Sequence, residues 1–158
     1  MEHPVLECNN PYIENFFRYR WENIERMKFD FHGKSRFLPF PGIYEGPEYF
    51  QRHISYSAWT HMRETRWLPS PSLAQGSLLN FVTNQKPDGS FPGHIGPPQD
   101  PQREGPDPES FYHADWGMAL LALFSLHPDI EFLRALYPAL VRYAQYMQRE
   151  RDPEQCFL

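Results

Sequence analysis

Seven side chains in this 158-residue sequence pair reactive or ring-stacking chemistry with positions that a fold can turn toward a shared space: Glu64, Trp67, Phe91, His94, His113, Asp115 and Trp116. Carboxylates accept paired hydrogen bonds from neighbouring hydroxyls, aromatic rings lie flat against apolar ring faces, and imidazoles exchange protons near neutral pH. Each residue also has an ordinary structural reading. Glu64 stands in His61-Met62-Arg63-Glu64-Thr65-Arg66-Trp67, where an ion pair with Arg63 or Arg66 explains it equally well. Trp67 either stacks on a ligand or closes a core below Pro69. Asp88, in Pro87-Asp88-Gly89, is turn chemistry before it is a ligand. His94 leaves pocket lining and plain exposure both open. Asp115 either caps a helix or, with His113 and Trp116, holds a ligand that offers paired hydroxyls. Phe91, His94, His113 and Asp115 are expected to line one concavity. Glu64 and Asp115 would form a hydrolytic pair only at roughly 5 to 9.5 Å separation. His53, His61 and Glu64 share helical spacing, but there is no His-Glu-x-x-His and no second ligand pair, so neither a metal nor another cofactor is expected.

Composition narrows the partners. A formal charge of −5 with interspersed signs offers no basic track for a phosphate backbone, so nucleic acid is not an expected partner. The apolar run Met118 to Leu126 is too short to span a bilayer, and Met1-Glu2-His3-Pro4 lacks the charged and apolar regions of a signal peptide. No membrane partner and a cytoplasmic location are the expectation. Cys8 and Cys156, near opposite ends, read as two free thiols.

The elements that must position these side chains are helical. Asn10 caps a helix opened by Pro11, running from 11 to 27 on Tyr12, Ile13, Phe16, Phe17, Ile24 and Met27. Residues 28 to 46 hold too many breakers for a helix and read as extended chain. A second helix is expected from Pro47 toward Trp67, and a third opens at Ser70-Pro71 and stops at Lys86-Pro87. Seven prolines and four glycines between Pro87 and Pro108 predict one long loop, mobile from Gly96 to Asp107. A fourth helix, 109 to 126, is apolar nearly all round and is expected to be buried. The fifth carries a stripe of Leu133, Leu136, Leu140, Val141, Ala144 and Met147, with Pro138 predicting a kink or a break near Tyr137. Fourth and fifth together are an αα-hairpin. The organisation is one all-α domain over 1–158: a helix and extended lead-in at 1–46, then helical hairpins at 47–158.

Trp116 to Tyr146, with Asp129-Ile130-Glu131-Phe132-Leu133 and Leu136-Tyr137-Pro138-Ala139-Leu140-Val141-Arg142-Tyr143, resembles the matching hairpin of the six-hairpin glycosidases. Glycoside hydrolase family 63 and trehalase-like enzymes are the nearest in pattern. Gln85-Lys86-Pro87-Asp88-Gly89-Ser90-Phe91-Pro92 is similar to their Gln-x-x-Asp-Gly and apolar-Pro step, and Arg151-Asp152 to the Arg-Asp turn after the outer helix; Cys156-Phe157-Leu158 departs from the Gly-Leu that follows. The resemblance covers 47 to 152. It implies a partial (α/α)6 toroid, hydrolysis of an α-glycosidic bond by inversion, and an oligosaccharide or glycoside substrate. It also implies that the general acid and base fall beyond Leu158. Glu64, Trp67, Phe91, His94, His113, Asp115 and Trp116 would then supply binding walls, and a chain with fewer than twelve helices would self-associate or await its other half. The alternatives are a sugar isomerase or epimerase on the same toroid, with His94 and His113 moving protons, or a non-catalytic helical interaction module.

Overall fold

The Asn10 side chain accepts a hydrogen bond from the Tyr12 amide, and Pro11, with no amide to leave unpaired, opens α1 (Pro11–Met27) as expected. A computed structural model describes residues 3–46, 50–100, 102–152 and 154. The lead-in after α1 folds into a short antiparallel pair, β1 (Lys28–Phe29) and β2 (Gly42–Ile43). From there the order is β3 (His53–Ile54), α2 (Ser55–Thr65), α3 (Ser72–Thr83), β4 (His94–Gly96), β5 (Gly105–Pro106), α4 (Trp116–Phe124) and α5 (Ile130–Arg151). The fold is helical, as the sequence predicts, with two small sheets beside the five helices among the described residues.

Two sets of hydrogen bonds fix the helix directions. At one end, Ser55 at the start of α2 donates through Oγ to the carbonyls of Gly93, at 3.1 Å, and Tyr112, at 3.3 Å, just before α4. At the other, the His127 ring beyond α4 lies 2.9 Å from the Arg66 carbonyl beyond α2. α2 and α4 therefore run parallel. Each is followed by a short turn and a helix that returns, α3 after α2 and α5 after α4, giving the repeat of an αα toroid: parallel inner helices and reversed outer ones. Phe81, Leu78, Met62, Ala58 and Ala119 are fully buried where these helices meet, and Trp116 and Phe91 extend that core toward Tyr143 of α5.

Several boundaries differ from the sequence expectation. Pro47 lies outside the described residues, but α2 starts only at Ser55, because His53 and Ile54 pair with Ile95 and His94 as strand β3. The Pro- and Gly-rich stretch is a hairpin and not a structureless loop: Gly96 pairs with Gly105, and Asp100 caps the tip by accepting from the Gln102 amide. α4 begins at Trp116, seven residues later than expected, since Asp107 turns the chain by accepting from the Glu109 and Ser110 amides and Asp115 takes the cap. Nor is α4 buried on every side. Trp116, Ala119, Leu120 and Leu123 face the core, while Met118 is 49% and Leu121 67% exposed. α5 runs unbroken through Pro138; Leu133, Leu136, Leu140 and Met147 of the expected stripe pack on the core together with Ala139, Tyr143 and Tyr146, while Ala144 is exposed.

Candidate functional site

The Gln85-to-Pro92 segment determines where the crossing chain can go. Gln85 donates through Nε2 to the carbonyls of Gly89, 2.9 Å, and Ala139, 2.8 Å, while its Oε1 accepts from Arg142 Nε at 3.0 Å. Asp88 Oδ1 accepts from the amide and hydroxyl of Ser90, at 2.9 and 2.8 Å. Gly89 holds φ +94° against the Arg142 carbonyl, where any Cβ would collide. This latch pins the chain to α5 and aims Phe91 inward. Phe91 stacks on Tyr143 with centroids 4.7 Å apart and meets Trp116 edge-on at 6.1 Å.

β4 then carries the crossing over the N-terminal end of α2, so that the starts of α2 and α4 share one face, the loop end. A cavity of about 510 Å³ opens there between the start of α4 and the last turns of α5, lined by His113, Asp115, Trp116, Tyr143, Met147 and Arg151 among others. Asp115 caps α4, its Oδ1 accepting from the Met118 amide at 2.9 Å. Its second oxygen has no protein partner among the described residues. The Trp116 indole N–H is buried and has no partner among the described residues.

His94 reaches the same end but a different space, a cavity of about 270 Å³ beneath the hairpin with Arg52, Gln102 and Asp107. Its Nδ1 is 3.2 Å from Ser110 Oγ and its Nε2 3.4 Å from Asp107 Oδ2. Burial first, and then the charge of Arg52, pushes this imidazole below its usual range, with Asp107 opposing. Asp107 is held below the usual carboxylate range mainly by the Glu109 and Ser110 amides.

Glu64 and Trp67 lie elsewhere. They sit at and beyond the C-terminal end of α2, a helix about 16 Å long at 1.5 Å per residue, with α1 as the facing wall. The fold thus brings His113, Asp115 and Trp116 together, places His94 in an adjoining cavity, puts Phe91 in the core, and sets Glu64 and Trp67 at the far end. The single concavity expected for Phe91, His94, His113 and Asp115 is not formed. Sequence reasoning missed Tyr143, Met147, Arg151 and Asp152 as cavity walls; the Arg151-Asp152 pair was visible only as a turn signature.

The sequence pattern of the mannosylglycerate hydrolase MGH1-like glycoside hydrolase domain matches residues 49–157. The chain belongs to that family. No curated protein and no solved structure matches the chain. The family match spans α2 through α5, leaves α1 outside, and agrees with the six-hairpin resemblance of residues 47 to 152. This is a glycoside hydrolase-like segment of a carbohydrate-active enzyme, and carbohydrate is its substrate class. No described helix is long and apolar enough to cross a membrane.

Proposed function

We propose that the 510 Å³ cavity at the loop end is the part of a glycoside hydrolase substrate site that grips one sugar ring of an α-linked glycoside, a mannoside in the first instance given the family description. The observation that carries this reading is one wall holding the free oxygen of Asp115 for hydroxyls, His113 beside it, and the Trp116 and Tyr143 rings as apolar faces. Phe91 serves from behind by fixing Tyr143 and Trp116. His94, one cavity away, contacts a longer substrate and not the same ring. The segment contributes binding, and the acid and base of an inverting α-glycosidase act from residues beyond those in this wall. Cytoplasmic residence, suggested by two cysteines without a disulfide framework, belongs to the same reading.

Calorimetric titration of the chain with methyl α-mannoside and α-mannobiose tests this, with Asp115→Asn and Asp115→Ala beside it. Asn keeps the cap and loses the charge, so Asp115→Asn is expected to lower affinity about tenfold with stability nearly unchanged; Asp115→Ala is expected to lose, in addition, about 1 kcal/mol of stability. If both variants lose stability alone, or no α-glycoside binds, the reading is wrong.

A further inference from the structure

At the far end of α2, about 16 Å from the loop end by helix length, α1 and α2 enclose a cavity of about 540 Å³ lined by Phe16, Phe17, Arg20, Arg63, Glu64, Arg66 and Trp67 among others. That is the size of a small-molecule site, and it has the same makeup: apolar aromatic walls with a few polar groups. Glu64 is consumed within it. Arg20 grips both carboxylate oxygens, Nε to Oε1 at 2.7 Å and Nη2 to Oε2 at 2.6 Å. The other two guanidiniums are left without a carboxylate partner among the described residues. Arg66 lies over the Trp67 ring at 4.9 Å and donates to the Arg63 backbone carbonyl, and Arg63 lies over Trp59 at 5.7 Å. Burial and then the charge of Arg63 hold the Arg66 guanidinium below its usual pKa, as expected for like charges with no anion between them. Three guanidiniums against one carboxylate leave a local surplus of positive charge in a chain whose net charge is −5.

The rings supply the second half of the recognition. Trp67 is 55% and Phe16 69% exposed at the rim, large apolar faces for which the described fold has no packing partner on the open side. Guanidinium groups match carboxylate and phosphate through paired N–H donors, and a flat indole face accepts the C–H face of a pyranose. Neither a neutral sugar nor a bare anion uses both halves.

We propose that this cavity is a second ligand site, separate from the loop end, for a six-membered sugar ring carrying one anionic group, a carboxylate or a phosphate, with the ring on Trp67 and the anion between Arg63 and Arg66. Half of its wall is α1, which lies outside residues 49–157, so the site belongs to this chain's own lead-in and does not follow from the family match. It does not rest on the reading of the loop end.

The test is titration of the ¹⁵N-labelled chain with glucuronate, glucose 6-phosphate, glucose and inorganic phosphate, read at the Trp67 indole N–H. At least one anionic sugar is expected to shift Trp67 and bind at least tenfold more tightly than glucose or inorganic phosphate, weakening as salt rises. Glucuronate alone would identify a carboxylate ligand, glucose 6-phosphate alone a phosphate ligand, and either result supports the site. The double substitution Arg63→Gln with Arg66→Gln, both outside the core, is expected to abolish that preference with an unchanged melting curve, while Asp115→Asn leaves it intact. Equal binding of glucose, equal binding of inorganic phosphate, or no shift at Trp67 with any of the four overturns the proposal.

Discussion

His61 is buried, its Nδ1 is unpartnered, and it lies near enough to Arg20 to feel that charge; burial foremost, then Arg20 and His53, pushes its pKa down to about 3. An unfolded histidine titrates near 6.5. The contribution of His61 is therefore complete above about pH 6.5 and is lost as pH falls toward the folded value, at about 2 kcal/mol by pH 5. Urea melts at pH 7 and pH 5 should show at least that loss, because burial pushes the His53 imidazole down as well, and His61→Leu should shrink the difference by about 2 kcal/mol; an unchanged difference in the variant would assign the acid sensitivity to His53 or another group. The sequence could not mark His61 as the sensitive residue, because burial is a tertiary property. The partner of Glu64 was hidden for a related reason. Arg63 and Arg66 are its neighbours in sequence, but residues one and two apart on a helix do not face each other, and Arg20 arrives from α1, 44 positions away. The cap reading of Asp115 was legible, and the cap uses one oxygen and leaves the other for the role proposed at the loop end.

At the scale of elements, Gln85-x-x-Asp88-Gly89 emerges as a fastening between the end of α3 and the middle of α5. Removing a half-buried hydrogen-bonding hub strands the carbonyls that it satisfied. Gln85→Ala is expected to cost about 2 kcal/mol in denaturant melts and to raise amide exchange across residues 86 to 93; melts within experimental error of the parent chain would show that the latch is incidental. Helix identities were readable from spacing and caps: α1 fell where expected, and α4 and α5 pair as a hairpin although α4 starts seven residues late. Starts were less readable. Nothing in Gln51-Arg52-His53-Ile54-Ser55 signals that His53-Ile54 will be claimed by a strand from residues 94–95, a pairing some 40 residues distant. The three-stranded sheet escaped notice because strands of two or three residues have no periodicity to detect.

At the scale of the whole molecule, the parallel α2 and α4 with their reversed partners reproduce two hairpins of the toroid repeat, and the outer side of α4 has no described neighbour. Met118 and Leu121, with Ile130 at the start of α5, present apolar surface that a further hairpin or a second copy would cover. Self-association through this face is expected, visible as a concentration-dependent sedimentation coefficient, and Leu121→Glu should shift the population to monomer; a parent chain that is monomeric at every concentration contradicts it. The sequence identified α4 as too apolar for solvent but gave no indication of which side would be left open, since that depends on how many hairpins surround it. The account as a whole depends on where a neutral sugar lands. The four tryptophans, Trp21, Trp59, Trp67 and Trp116, each carry one indole N–H that reports its own surroundings. Titrating the ¹⁵N-labelled chain with α-mannobiose should move the Trp116 resonance and leave Trp67 in place. A shift confined to Trp67, or no shift at any of the four, would contradict a sugar site between the start of α4 and the last turns of α5.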